Sequence, residues 1–362
     1  MQRHHLKQLT GLRFVAAFAV LISHFHQRGV VTLTPELYDS LDGGRTAVTF
    51  FFVLSGFILA YNYSDLSSRQ KRTTFFVNRF ARIYPVVLLA LTVAAIATVA
   101  AENDSTFLRD RYSITSDPPV WLSMSFVAQI LALTSWLPSA RLNQPFNSPA
   151  WSISVEFFFY AMFPIILILI SKSKSTKIMF YGVIALALQW LLICVISLFA
   201  PPSAKSFLIS QFPLTHLAEF FIGVIACRIL TANYSKFSQP RLRLHLVQIV
   251  TLGAILLLSV YPPVDPMYFL LTPFFAVLIA TASLPNSINL LVGNRVSVLL
   301  GEASYSLYMI HIPVLNLLEA LEIKFIQLGW LLVLVFIGIS IAVYKAFEVP
   351  LARKIKVKFS AQ

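Results

Sequence analysis

Two cysteines stand in 362 residues, too few for a disulfide framework. Cys194 and Cys227 both fall in apolar runs, where packing is the expected role. Charge is equally scarce. Asp, Glu, Lys and Arg make up 12% of the chain, about half of the ~25% usual in a soluble domain. Acidic residues are the scarcest, 15 against 28 Lys and Arg, which leaves a formal charge of +13. No low-complexity tract or internal repeat stands out. No interval between apolar runs exceeds about twenty residues, so no appended soluble domain is expected and residues 1–362 read as one membrane-embedded domain. A cleaved leader is not expected either: Arg13 interrupts the first apolar run, and no A-x-A site follows it.

What is present is apolar. Hydrophobic residues are 57% of the chain, with 31 Phe, and the mean hydropathy is +0.76. Eleven apolar runs are visible: 9–25, 46–62, 83–100, 121–137, 151–171, 178–199, 207–229, 244–261, 267–284, 298–318 and 325–345. Each is near the ~17–25 residues that cross a bilayer. The weakest is 121–137, WLSMSFVAQILALTSWL, with four Ser or Thr and one Gln. Loop charge decides whether it crosses. Arg69, Lys71, Arg72, Arg79 and Arg82 make the 62–82 interval cytoplasmic by the positive-inside rule, and with it the N-terminus carrying Arg3 and Lys7. If 121–137 spans, Lys172, Lys174 and Lys177 fall outside, as do Lys236, Arg241 and Arg243. If it does not, both basic loops fall inside, together with Arg353, Lys354, Lys356 and Lys358 of the tail. The second arrangement satisfies the rule at every basic loop. The expected fold is therefore an all-α polytopic membrane protein with ten transmembrane helices, both termini cytoplasmic, and a re-entrant or interfacial segment at about 121–137 on the outer side. The Pro118-Pro119, Pro201-Pro202 and Pro262-Pro263 pairs fall in external loops or at span ends, where turns belong. The positive charge then sits on inner loops in contact with membrane lipids and calls for no nucleic-acid partner.

A charge at mid-bilayer costs at least ~2.5 kcal/mol on insertion scales, so each ionisable residue in a span is a functional candidate. GLRFVAAFAVLISHFH carries Arg13 and His24. Eleven helical steps of ~100° come within about 20° of three full turns, so the two share one face, about 16 Å apart along the axis. Glu156 lies five residues into the 151–171 run, at a depth like that of His24, where a carboxylate and an imidazole form a base and its orienter. Arg79 and Arg82, in RFARIYP, share a face at i, i+3. They suit phosphate groups, which a guanidinium grips with two hydrogen bonds, and they read equally as inner-side anchors. His24 alone reads equally as an interfacial histidine. His216 with Glu219, and Glu302 with His311, read first as polar glue between helices. The pattern describes a passage between an anion bound inside and a base near the outer face, which fits transport and transmembrane group transfer alike.

Taken in order, these segments resemble the acyltransferase-3 family of integral membrane O-acyltransferases. Arg13-x10-His24, FFVLSGFILA (51–60), RFARIYP (79–85), SPAWSISVEFFFYAMFP (148–164), LAEFFIGVIAC (217–227) and SYSLYMIHIP (304–313) each resemble a family pattern. The resemblance implies transfer of an acyl group, commonly acetyl from acetyl-CoA, to a hydroxyl of a cell-surface glycan such as O-antigen or exopolysaccharide, lipid-linked or not. No metal is implied. His24 would be general base or transient acyl carrier, Glu156 would support it or the acceptor, and Arg13 would help place the donor. Arg79 and Arg82 would hold the CoA phosphates. Trp151, Ser154, Tyr160, His311 and Glu219 are the candidates on the substrate side, with Trp121 and Trp136 as further aromatic platforms or as interfacial belt. The resemblance implies a stand-alone member, without an SGNH domain, in a bacterial inner membrane. A glycan or glycolipid transporter or flippase is the alternative.

Overall fold

Apolar runs this long leave the backbone no partner but itself, and the chain answers with helices. The structure, a computed structural model, describes residues 6–41, 44–171, 173–234, 241–261, 266–284 and 291–360. Arg3, Lys172, Lys236 and the Pro262-Pro263 pair lie outside the described residues. The helices are α1 (Lys7–Gln27), α2 (Pro35–Leu41), α3 (Arg45–Asn62), α4 (Arg69–Ala100), α5 (Ser105–Tyr112), α6 (Pro118–Ile130), α7 (Ala140–Asn143) and α8 (Trp151–Ile170). Then follow α9 (Ser175–Phe199), α10 (Pro202–Ser210), α11 (Leu217–Ala232), α12 (Arg241–Val260), α13 (Thr272–Ala282), α14 (Arg295–Ala320), α15 (Trp330–Val343) and α16 (Val349–Ser360). Among the described residues, nine helical segments are long and apolar enough to cross a membrane, and Tyr268–Ala282 is a shorter apolar one. The protein is an all-helical polytopic membrane protein.

The segment expected at 121–137 is not one continuous helix. α6 covers only 13 residues, Leu131 follows it, and a 3-10 turn forms at Thr134–Trp136. Ser125, Gln129 and Asn143 in this region bond to backbone carbonyls of Leu142, Pro145 and Leu137, which supplies the partners that lipid cannot. The 207–229 run is broken as well: α10 ends at Ser210, and Pro213 opens a 3-10 turn that leads into α11. α4 is longer than the 83–100 run. Ser68 caps it by accepting from the Lys71 amide, so Arg79 and Arg82 stand inside a helix.

Four glycines set the central contacts. A Cβ on Gly11 would fall 1.8 Å from the Val292 carbonyl oxygen, and one on Gly301 1.8 Å from that of Thr10. Likewise Gly56 faces the Phe220 carbonyl at 2.0 Å and Gly223 that of Val53 at 1.9 Å. Small residues let membrane helices approach backbone to backbone. So α1 lies against α14, and α3 against α11. On the outside, α9 exposes Val183, Leu188 and Leu198, and α12 exposes Ile249, Val250 and Leu256. That is the surface a lipid-facing helix presents.

Candidate functional site

Two cavities flank the central helices. The first, about 480 Å³, is lined by Val20, His24 and Gln27 of α1, Gly44, Arg45 and Val48 at the start of α3, and Trp151 and Tyr308. The second, about 670 Å³, is lined by Arg13, Arg79, Arg82, Glu156, Tyr160 and the Val48–Asn62 side of α3. Val48 and Tyr308 belong to both, so the cavities abut there. The fourteen helical steps from Val48 to Asn62 extend the second cavity about 21 Å along α3 at ~1.5 Å per residue. Arg13 and His24 therefore do face one continuous stripe, but in different chambers.

The His24 chamber holds an ordered pair of imidazoles. His311 Nδ1 lies 3.2 Å from the Leu307 carbonyl oxygen, which can only accept, so Nδ1 carries the proton. His311 Nε2 is then a lone pair, and His24 Nδ1 donates to it at 2.8 Å. That leaves His24 Nε2 as the free lone pair of a neutral pair, assigned from the hydrogen-bond network. The rings are nearly parallel, with centroids 5.1 Å apart and 11° between planes. His311 is 1% exposed and stands behind His24, not in the cavity wall.

Glu156 is elsewhere. It accepts from Ser55 Oγ at 3.4 Å and from the Tyr160 hydroxyl, within the arginine chamber. The equal depth expected from counting along the run misses that the 3-10 turn Ser148–Ala150 already carries buried Pro149 and Ala150. α8 thus starts inside the protein, and five further residues carry Glu156 past the neck. His24 has an imidazole beside it, supplied from 287 residues away.

The remaining candidates divide. Trp151 lines the His24 chamber, whereas Trp121 and Trp136 line neither cavity. Arg141 lies over the Trp121 ring at 5.1 Å, and Trp136 packs on Phe158 and Phe212. Ser154 is buried and accepts from Ser135 N and Oγ, which fastens the 134–136 turn to α8. His216 and Glu219 are buried partners at 2.7 Å, with Thr49 donating to the carboxylate at 2.8 Å. They join α3 to α11 and line neither cavity. Glu302 accepts from Tyr344 instead of meeting His311.

Sequence reasoning missed the neck. Tyr308 donates to the Pro149 carbonyl at 3.1 Å and contacts Ser152 Oγ at 2.8 Å. Asn147 ties the same loop to the Met309 carbonyl at 3.0 Å. The spacing Tyr308-x2-His311 was the available signal, since i, i+3 residues share a helix face. In the arginine chamber, Arg13, Arg82 and Arg353 have no hydrogen bond or ion pair among the described residues. Arg79 Nε is buried without a partner, while its guanidinium lies over the Tyr63 ring at 5.6 Å. Unpaired guanidiniums in a shared recess are a site for an anion.

A helical membrane domain in which a histidine-lined cavity abuts an arginine-lined one is suited to group transfer. The chain belongs to the acyltransferase-3 family: residues 6–345 match its acyltransferase domain. It is similar to the acyltransferase MdmB of Streptomyces mycarofaciens, 29% identical over 344 residues that cover 86% of this chain and 79% of that protein. It is also similar to a putative O-acetyltransferase of Staphylococcus aureus, 25% identical over 382 residues, 97% of this chain and 58% of that one. The chain thus spans little more than half the length of that relative. The peptidoglycan O-acetyltransferase OatA of Listeria monocytogenes is 25% identical over 202 residues, 51% of this chain and 28% of that protein. No solved structure matches.

Proposed function

We propose that the protein moves an acetyl group from acetyl-CoA, held in the arginine chamber, to a hydroxyl of an extracytoplasmic saccharide in the His24 chamber. The setting is a bacterial inner membrane, with the arginine chamber open to the cytoplasm. One observation carries this reading: the two chambers meet at Val48 and Tyr308. A polyanionic donor fits the unpaired arginines of one side. A polyhydroxyl acceptor fits the other, where buried Asn143 Oδ1 and Gln211 Oε1 are acceptors without a donor. Buried acceptors of that kind favour hydroxyl donors.

In this mechanism His24 Nε2 takes the proton of the acceptor hydroxyl as its oxygen attacks the thioester carbonyl carbon. The imidazolium so formed keeps Nδ1–H on His311 Nε2, which stabilises the charge. The tetrahedral adduct collapses, the carbon–sulfur bond breaks, and the CoA sulfur recovers the proton from His24. Glu156 holds Tyr160 and Ser55 beside the donor arm.

The test uses the full chain in lipid nanodiscs with radiolabelled acetyl-CoA and a panel of saccharides. Wild type forms an acetyl ester and free CoA, and His24→Ala forms neither while still binding donor. Normal transfer by His24→Ala would overturn the role of His24. Saccharide movement across vesicles without acyl-CoA, and with no ester formed, would replace the transferase by the flippase.

A further inference from the structure

The arginine chamber is completed by a helix that lies beyond the family match. That match ends at residue 345, and α16 begins at Val349. Val349, Ala352, Arg353, Lys356 and Val357 all line the chamber. Their spacing, i, i+3, i+4, i+7 and i+8, is one face of a helix. Lys354 and Lys358 do not line it. α16 thus carries two cations on its chamber face, Arg353 and Lys356, and two off it.

The orientation follows from the turn before it. α15 starts beside the His24 end, where Gly329 lies near the Val30 carbonyl. A π-helical turn at Tyr344–Glu348 follows, with Glu348 bonded to Ser306 and Tyr344 to Glu302. These two bonds seat the turn on α14, and α16 runs on against α4, the helix of Arg79 and Arg82. Arg353 lies 24 residues beyond Gly329, about 36 Å of helix, whereas Arg13 lies 17 residues before Val30, about 26 Å, so the cations of α16 stand further from the neck. Arg353 and Lys356 are exposed, as residues at a mouth are. Arg353 has no hydrogen bond or ion pair among the described residues. Counting the wall, five cations (Arg13, Arg79, Arg82, Arg353 and Lys356) face three carboxylates (Glu156, Glu302 and Glu348).

We infer that Arg353 and Lys356 form a second phosphate site at the mouth of the chamber, which takes the 3′-phosphate of the CoA nucleotide. This rests on the donor reading proposed above. The thioester must reach the neck at Tyr308, and the 3′-phosphate is on the nucleotide at the other end of the donor. It therefore meets the cations most distant from the neck, while the pyrophosphate meets Arg79 and Arg82.

The experiment measures binding of CoA and of 3′-dephospho-CoA to the full chain in nanodiscs of neutral lipid. Wild type is compared with Arg353→Gln/Lys356→Gln and with the control Lys354→Gln/Lys358→Gln. The expected result is at least a tenfold loss of CoA affinity in the first variant and none in the control. Wild type should lose a similar factor on removal of the 3′-phosphate, and the first variant should no longer distinguish the two ligands. If that variant binds CoA as tightly as wild type, or loses both ligands equally, the site is overturned while the donor reading stands. A loss seen only in discs of anionic lipid makes α16 a lipid anchor and overturns it too. Wild type that binds neither ligand overturns the donor reading, and the inference with it. Thermal unfolding of each variant shows that a loss of affinity is not a loss of fold.

Discussion

Replacing His311 by Ala isolates the imidazole pair. His311 supplies one acceptor, Nε2, to the Nδ1–H of His24 at 2.8 Å, and it does so from behind the cavity wall. When His24 becomes an imidazolium, that bond becomes charge-assisted. Hydrogen bonds to charged groups contribute about 1.5–3 kcal/mol, which is roughly 10–150-fold in rate if the bond strengthens only in the transition state. His311→Ala is therefore expected to lower kcat by about that factor, with KM for donor and acceptor changed less than about threefold, since neither cavity loses a wall. His311→Gln, whose amide oxygen also accepts, should retain more. The assay is CoA-thiol release coupled to ester formation in nanodiscs. The double variant His24→Ala/His311→Ala should be no slower than His24→Ala alone, because groups that act as a unit are not additive. A kcat within threefold of wild type for His311→Ala would refute the argument, as would a loss confined to KM for acetyl-CoA.

The neck, the acceptor pocket and the helix contacts each give a further expectation. Tyr308→Ala removes the larger of the two side chains common to both chambers, so water should reach the donor; acetyl-CoA hydrolysis without acceptor should rise at least about fivefold, and an unchanged blank rate would place the barrier elsewhere. Asn143→Ala and Gln211→Ala delete acceptors left unpaired in the His24 chamber; each lost hydroxyl contact of ~1 kcal/mol should raise KM for the saccharide about fivefold with kcat kept, and an unaltered KM would exclude them. Gly223→Leu sets a side chain against the Val53 carbonyl, where even a Cβ would fall at 1.9 Å; overpacking costs about 1–3 kcal/mol or more, seen as a lower unfolding temperature in detergent, and an unshifted transition would mean that α3 and α11 can separate without loss.

The helices were legible because a bilayer allows one solution for long apolar runs, so α1, α3, α8 and α9 begin and end within a few residues of the runs that announce them. The breaks were not. Pro213 within 207–229 looks like any tolerated proline in an apolar run, and only the packed 3-10 turn shows that α10 and α11 are separate. The tail was legible as basic but not as a wall, because charge reports a side of the membrane and not a neighbour. Arg13 and His24 could be placed on one stripe from spacing alone, since both belong to α1. The partner of His24 could not. His311 comes to it through the contact of α1 with α14, set by Gly11 and Gly301, and nothing local in GEASYSLYMIHIP encodes that neighbour. Depth along a run proved a poor substitute for contact, as Glu156 shows.

The division of polarity within the arginine chamber bears on why a histidine and an arginine share one greasy helix. Along α3 the wall runs from Val48, Phe51 and Phe52 at the neck through Leu54, Ser55, Ile58 and Leu59 to Tyr61 and Asn62, apolar for most of its length and polar at its far end. Arg79, Arg82, Arg353 and Lys356 line the same cavity as these apolar side chains. A wholly charged ligand would leave the neck unsatisfied, and a wholly apolar one would leave Arg82 and Arg353 bare. A ligand charged at one end, with a long neutral arm, satisfies both at once. Such an arm would carry its reactive end toward Tyr308 while its phosphates stay among the arginines. Arg13, on the helix that also carries His24, stands about 16 Å from it along the axis. No charged group then has to cross the membrane centre, where it would cost at least ~2.5 kcal/mol on insertion scales. On the proposed reading only the neutral acyl end would meet His24, and one helix would hold the grip on the donor and the base for the acceptor at a fixed separation.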